Sequence, residues 1–171
     1  MMHFFDGFRT SHEIQKVEVM PYEELDKLLD RDALYKFKHE ALNPDHPTMR
    51  GGVNNPDIFF QNREAVNSYY DKLPDIVQDY MDKISEFTGR TYKLFNYYGA
   101  PDAEYVIVAM GSVTGAIEEC IDAMTAEGQK VGYVQVHLYR PFSLKHFFAA
   151  MPKTVKRIAV LDRTKEPGAI G

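Results

Sequence analysis

The region from Ala103 to Gly171 alternates between short apolar runs and helix-like periods, and this alternation most constrains the fold. The apolar runs predict strands at residues 104–110, 131–139 and 157–161. Apolar side chains at helical spacing predict a helix over 113–127, and a shorter one follows from Ser143 to Ala150. Strands that alternate with helices in this way predict right-handed crossovers and a parallel sheet. We therefore expect an α/β fold, with a three-layer parallel-sheet unit preceded by a helical, loop-rich arm.

The arm before this unit contains helical patterns separated by turn residues. Periodicity predicts helices at 22–29 and 33–42, and either Asp30 or Asp32 is expected to cap the second. A longer helical pattern covers residues 62–88, which Pro74 is expected to kink or break. Four clusters of turn residues between positions 43 and 57 predict a loop.

Two aromatic segments are expected to be strands. Residues 3–6 are expected to form a buried strand at the start, and residues 92–98 an aromatic-rich strand before the parallel sheet. The predicted organisation is a tail of one domain at 1–20, a connecting arm at 21–100 and a parallel βαβαβ unit at 101–171.

Composition excludes several classes of protein. With 20 Lys and Arg against 25 Asp and Glu, the net charge of −5 argues against nucleic-acid binding. The single cysteine, Cys120, excludes an intrachain disulfide and an iron–sulfur cluster, and its helical position predicts burial. No apolar run approaches the roughly 20 residues of a membrane helix, and no signal peptide is recognised, so a cytoplasmic protein is expected. His39 and His46 have no third ligand at useful spacing, so no metal is expected there.

One loop of the predicted sheet has the features of an anion site. Ligands of open parallel sheets bind beyond the carboxyl ends of the strands. The loop after the first strand holds Gly111, Ser112 and Thr114 at a helix N-terminus, whose free N–H groups suit an anion. Positive charge would come from later loops, through Arg140, Arg163 and Lys165. The pattern is neither a P-loop nor a dinucleotide fingerprint, and the alternative, in which Ser112 caps the helix and Gly111 eases the turn, is favoured. His137 is expected to be a hydrogen-bonded structural histidine.

Five motifs, in order along the chain, resemble one enzyme family. They are residues 3–13 (His-Phe-Phe-Asp-Gly-Phe-Arg-Thr-Ser-His-Glu), 55–61, 99–112, 138–142 and 160–169. The family is pyruvate:ferredoxin (or flavodoxin) oxidoreductase, a large multidomain enzyme. It uses thiamine diphosphate, magnesium, coenzyme A and 4Fe–4S clusters to convert pyruvate reversibly to acetyl-CoA and carbon dioxide.

The resemblance implies that this chain is a fragment of such an enzyme. Its first twenty residues resemble the tail of the N-terminal, pyrimidine-side domain, and the rest resembles the first part of a transketolase C-terminal-like domain. The segments that hold the cofactors and the metal would lie outside this sequence, so no catalytic, cofactor-binding or metal residue is assigned. The implied partners are the remaining domains, a second subunit, and ferredoxin or flavodoxin. The candidate interdomain contacts are Asp162, Arg163, Lys165 and Glu166.

Two functional hypotheses remain at this point. In the first, the chain is a structural and assembly piece of the oxidoreductase, inactive alone, with apolar surface exposed where further strands would pair. In the second, it is a free-standing module that binds an anion such as coenzyme A at the Gly111-Ser112 turn.

Overall fold

The computed structural model describes residues 2–47 and 51–162 of the chain. The helices of this part are α1 (Tyr22–Leu28), α2 (Arg31–His39), α3 (Pro56–Ala65), α4 (Asn67–Thr88), α5 (Val113–Ala126) and α6 (Leu144–Ala150). The strands are β1 (Phe95–Gly99), β2 (Tyr105–Ala109), β3 (Val131–Val136) and β4 (Arg157–Val160). Two units are distinguished: the described residues of Met1–Gln15 with Leu73–Gly171, and those of Lys16–Lys72.

The first unit is built on a four-stranded sheet of order β1-β3-β2-β4. Strand β2 pairs in parallel with β3 on one side and with β4 on the other. The two helical crossovers predicted from the sequence, through α5 and α6, therefore connect parallel strands. Strand β1 pairs antiparallel with β3, which makes the sheet mixed at that edge.

The sheet lies between two apolar layers, as a three-layer α/β fold requires. On one face, buried Val106, Val108 and Val134 join Val77 of α4 in the core, and Phe147 of α6 packs against them. On the other face, the buried residues are those of α5 and the facing strands: Ala109, Ile117, Ile121, Val131 and Tyr133. Successive strand residues thus point to opposite layers, and the predicted α/β architecture is confirmed.

The break in the long helical region does not lie at Pro74. Pro74 is inside α4, whereas the interruption falls at Val66, between α3 and α4. Pro74 and Val77 are both buried, and Val77 belongs to the core. Packing of this part of α4 offsets the backbone hydrogen bond that a proline cannot donate, and the helix continues through it.

Helix α5 buries a narrower stripe than its sequence suggests. Thr114, Ile117 and Ile121 are buried, at spacings of three and four residues. Cys120 lies beside this stripe and is exposed, so its predicted burial is wrong. A helix that packs on one side of a sheet covers only one face, and apolar residues at the margin of that face remain in solvent.

The predicted strand at residues 3–6 is also wrong. These residues lie outside any helix or strand, and Phe4 and Phe5 are 60% and 61% exposed. Residues 7–12 that follow form turns. Apolar composition alone does not make a strand, because a strand also needs a neighbour with which to exchange backbone hydrogen bonds.

The second unit contains α1, α2, α3 and the first residues of α4. Asp30 caps α2, as predicted, because its carboxylate accepts a hydrogen bond from the Ala33 N–H at 2.8 Å. None of the residues in α1, α2 or α3 is buried. No helix in the described residues has the length and apolar character to cross a membrane.

Candidate functional site

The carboxyl ends of β2, β3 and β4 lie at the same edge of the sheet, because these strands are parallel. The chain leaves β2 at Ala109 and turns at Gly111, whose φ of 79° lies in the left-handed region. Helix α5 then begins at Val113. The candidate anion site predicted from the sequence lies at this turn.

Thr114 links the first turn of α5 to the Gly111 turn and to β3. Its side chain is buried, and its hydroxyl donates a hydrogen bond to the Gly111 carbonyl oxygen at 3.0 Å. The side-chain amide of Gln135 on β3 donates to the same hydroxyl at 3.2 Å. Thr114 therefore connects the turn to the sheet, and its hydroxyl is engaged within the protein.

The position suited to an anion is taken by a carboxylate of the chain itself. The backbone N–H of Ser112 donates to Oδ2 of Asp6 at 3.0 Å. The Thr10 hydroxyl donates to the same oxygen at 2.9 Å. The other carboxylate oxygen, Oδ1, accepts from the backbone N–H groups of Phe8 at 3.2 Å and Arg9 at 3.0 Å. One side chain thus satisfies donors of the N-terminal turn and of the α5 N-terminus together.

These donors stabilise the ionised form of Asp6. Its pKa is held well below the ordinary value, chiefly by the backbone N–H of Arg9, with further contributions from Thr10 and Ser112. Partial burial of the carboxyl opposes this effect and does not outweigh it. Asp6 therefore carries a negative charge at neutral pH, where the positive end of a helix dipole favours it.

Ser112 does not cap α5 with its own side chain. It lies at the N-cap position, but its φ of −68° and ψ of −14° are helical, and no side-chain cap hydrogen bond is formed. An N-cap residue whose side chain bonds to the helix typically has an extended backbone conformation. The favoured alternative for Ser112 is therefore wrong, whereas the expected role of Gly111 in the turn is confirmed.

The other predicted site residues are not brought to this turn by any described contact. Arg140 is exposed, and its guanidinium lies over the Tyr139 ring at 5.4 Å from the ring centre. Asp162 is exposed at the end of the described residues. Arg163, Lys165 and Glu166 lie outside the described residues. Their roles as interdomain or anion contacts stay predictions.

His137 follows β3 directly rather than lying within it. The ring is exposed, and its Nδ1 lies 2.7 Å from the Lys93 carbonyl oxygen. The prediction of a hydrogen-bonded structural histidine is confirmed. Its predicted place inside the strand is not, because β3 ends at Val136, one residue before His137.

The α5 N-terminus, as the described residues arrange it, does not fit a thiamine diphosphate–magnesium group. Among residues 2–47 and 51–162, no three His, Cys, Asp or Glu side chains lie close enough to hold a metal ion. At the α5 N-terminus a diphosphate would meet the Asp6 carboxylate, a like charge that already uses the Ser112 N–H.

Comparison with known proteins assigns the chain to a family. A family model described as pyruvate flavodoxin/ferredoxin oxidoreductase, thiamine diphosphate-binding, matches residues 1–82. A second model, pyruvate:ferredoxin oxidoreductase core domain II, matches residues 103–171. The chain belongs to the pyruvate flavodoxin/ferredoxin oxidoreductase family. The predicted division at residues 20 and 100 stays a prediction.

The proteins that match the chain are much longer than it is. The pyruvate-flavodoxin oxidoreductase of Klebsiella pneumoniae is 65% identical over 168 residues, which are 98% of this chain and 14% of that protein. The pyruvate:ferredoxin oxidoreductase of Moorella thermoacetica is 56% identical over 99% of this chain and 14% of its own length. A solved 2-oxoglutarate:ferredoxin oxidoreductase from Magnetococcus marinus, with 2-oxoglutarate, coenzyme A and succinyl-CoA bound, has a TM-score of 0.39 and 21% identity. That match covers 67% of this chain and 17% of the other.

Asp6 is the residue of this site that sequence reasoning missed. Its local role could be predicted, since Asp side chains commonly accept a hydrogen bond from the backbone two residues on, as Asp6 does from Phe8. Its contact with Ser112 could not, because 106 residues separate the two and no local pattern links them.

Proposed function

We propose that this chain is a structural and assembly segment of a thiamine diphosphate-dependent 2-oxoacid oxidoreductase, inactive alone. The parent enzyme would act on pyruvate, form acetyl-CoA and carbon dioxide, and pass electrons to ferredoxin or flavodoxin. The family membership and the names of the relatives support this proposal. Magnesium, 4Fe–4S clusters, coenzyme A, a second subunit and a cytoplasmic location are parts of the same proposal for the parent.

The main observation that supports an assembly role is the open edge of the sheet at β4. In the register of the sheet, Ile158 lies beside Val106 and Val160 beside Val108. Val106 and Val108 are 2% and 5% exposed, whereas Ile158 and Val160 are 46% and 72% exposed. Within residues 2–47 and 51–162, the core face of the sheet therefore continues onto β4 without the cover it has over β2. Such a face, at an edge strand, is a surface for pairing and packing.

The space next to this edge is apolar as well. An open groove of about 340 Å³ lies between the end of α6 and β4, and it is lined by Phe148, Met151, Pro152, Lys153, Val155 and Ile158. Because the relatives are several times longer than this chain, we assign the cover of β4 and the groove to another part of the parent polypeptide.

The helices of residues 16–72 support the same role. Helices α1, α2 and α3 contain no buried residue, yet Phe37, Phe59 and Phe60 are 67%, 53% and 69% exposed. A segment that buries so few apolar side chains gains little stability from its own contacts, because apolar burial is the main favourable contribution to folding. We propose that neighbouring parts of the parent enzyme cover these side chains.

An assay of the purified chain tests the claim that it is inactive alone. The chain is supplied with pyruvate, coenzyme A, thiamine diphosphate, Mg²⁺ and a viologen dye as electron acceptor. No dye reduction above the protein-free control is expected. Pyruvate-dependent dye reduction by the chain would refute the proposal.

The open edge is tested separately by sedimentation velocity. We expect the chain to self-associate through β4 when its natural cover is missing, and Val160→Lys to weaken this association because a charge on an edge strand opposes pairing. Ala116→Lys, on the exposed face of α5, is the matched control and should leave association unchanged. Equal association of Val160→Lys and the wild type would show that β4 is not the assembly surface.

A further inference from the structure

The two oxygens of the Asp6 carboxylate serve different parts of the chain. Oδ1 accepts hydrogen bonds from Phe8 and Arg9, which are local to the N-terminal turn. Oδ2 accepts from the Thr10 hydroxyl and from the Ser112 N–H, 106 residues away. The side chain is therefore both a local cap and a long-range contact.

The surroundings of Asp6 favour a charged group at this position. Its partners at Phe8, Arg9, Thr10 and Ser112 all act as donors, and a carboxylate is the side chain that accepts through both of its polar atoms. The carboxylate is not crowded at the Gly111 turn. Even a Cβ added to Gly111 would lie 3.5 Å from Oδ2, which is an ordinary contact. The charge lies at the positive end of the α5 dipole.

The N-terminal turn has internal hydrogen bonds of its own. The Ser11 hydroxyl donates to the Gly7 carbonyl oxygen at 3.0 Å, and Arg9 forms an ion pair with Glu13. These local contacts hold the turn together without reaching the sheet. The turn is joined to the α5 N-terminus by the hydrogen bond from the Ser112 N–H to Asp6.

We propose that Asp6 is a latch that fixes the turn of residues 6–13 to the carboxyl edge of the sheet. Asp6 belongs to the region matched by the thiamine diphosphate-binding family model, and Ser112 to the region matched by core domain II. The latch therefore joins the two family regions through one carboxylate, and it keeps other anions from the α5 N-terminus. This inference stands on the hydrogen bonds and does not depend on the proposed function.

Amide hydrogen exchange of the full chain tests the latch through the Ser112 N–H. In Asp6→Ala we expect protection of this amide to fall about tenfold or more, the effect of losing one hydrogen bond to a charged group. Asp6→Asn is the sharper variant, because an asparagine side chain has one acceptor oxygen. Three backbone N–H groups of the turn, at Phe8, Arg9 and Thr10, face Oδ1, and an amide NH2 in that position would face donors only. We therefore expect the asparagine oxygen to serve the turn, so Asp6→Asn should also lose most of the Ser112 protection.

Two references make the result decisive. The amides of Val106 and Val134, in the sheet core, should keep wild-type protection in both variants and so report an intact fold. If they lose protection in Asp6→Ala, the isosteric Asp6→Asn decides. Asp30→Asn removes a carboxylate that caps only its own helix, α2, and should leave the Ser112 amide unchanged. Wild-type protection of the Ser112 amide in Asp6→Asn, with an intact core, would overturn the latch.

Discussion

The ring of Tyr97 lies across the backbone of Gly132, at the junction of strands β1 and β3. A Cβ added to Gly132 would lie 2.7 Å from Cζ and 2.8 Å from Cε2 of this ring. The Tyr97 hydroxyl passes beyond Gly132 and donates a hydrogen bond to the carbonyl oxygen of Ala100, just after β1. The absence of a side chain at position 132 therefore allows the tyrosine to join the end of its own strand.

Gly132→Ala should destabilise the protein by about 1 to 3 kcal/mol, the usual cost of overpacking a well-packed site. The tyrosine ring must move to make room, and it loses its bond to Ala100 when it does. Urea unfolding measures the change. In the double variant with Tyr97→Ala the additional cost of Gly132→Ala should largely disappear, because the overlapping ring is gone.

Gly115→Ala is the matched control for this substitution. Gly115 is an exposed position within α5, and an added Cβ there meets no atom within 4 Å. Alanine is favoured over glycine in a helix by up to about 1 kcal/mol, so this variant should be more stable than the wild type. A loss of stability in both variants would contradict the steric explanation for Gly132.

Gly99→Ala should be more harmful than Gly132→Ala. The φ of Gly99 is +127°, a conformation that L-residues rarely adopt, and an added Cβ would lie 2.5 Å from Gly132 Cα and 2.6 Å from the Val131 carbonyl oxygen. These are backbone atoms of the central part of the sheet, so they cannot move aside as a side chain can. We expect a lower yield of folded protein and a lower urea midpoint than for Gly132→Ala. The reverse order would be inconsistent with the described register of β1 and β3.

The elements of the sheet could be predicted because their patterns are local. The apolar run at 104–110 predicts β2, found at Tyr105–Ala109, and the period over 113–127 predicts α5, found at Val113–Ala126. The antiparallel direction of β1 could not be predicted, since residues 92–98 show a strand pattern but carry no information on the partner strand.

The turn before α5 was predicted correctly, whereas its role as an anion or interdomain site stays a prediction. Gly111 and Ser112 form the turn at a helix N-terminus, as expected from the sequence. The sequence gives no sign that Asp6 fills that position, because a contact over 106 residues depends on the path of the whole chain. The exposure of Cys120 was missed for a related reason: periodicity gives the direction of the apolar face but not its width.

Docking of the N-terminal turn should depend on pH only in the acid range. The pKa of Asp6 is lowered in the folded chain, so its contribution to stability is fully present above its unfolded value of about 3.9 and is lost as the pH falls from there toward the folded value. Ser112 amide protection, corrected for intrinsic exchange, should therefore be constant from neutral pH to about pH 5 and should fall at lower pH.

Neighbouring charges set the control for this pH dependence. Arg9 lies in the same turn as Asp6 and pairs with Glu13, and this pairing lowers the pKa of Glu13. The negative charge of Glu119, on α5, also attracts Arg9. The pKa of Glu13 is therefore lowered, as that of Asp6 is, and loss of the Glu13 charge in acid could also affect the turn. Glu13→Gln should keep the acid loss of Ser112 protection, whereas Asp6→Asn should abolish it. A loss that persists in Asp6→Asn would assign the effect to another group.

The hydroxyl of Tyr133 should contribute more to stability than that of Tyr98, although each donates to a carboxylate of α5. Tyr133 is 1% exposed and bonds to Glu118, whereas Tyr98 is 40% exposed and bonds to Asp122 at 2.6 Å. Burial, and then the bond to Glu118, raise the pKa of Tyr133, so the hydroxyl stays protonated and remains a donor across the accessible pH range. Tyr133→Phe should lose about 1 to 2 kcal/mol in urea unfolding, since a bond to a charged group in a shielded position is lost. Tyr98→Phe should lose less stability, because water can replace the tyrosine hydroxyl at Asp122. Equal losses of stability in the two variants would show that burial of the donor does not decide the strength of these bonds.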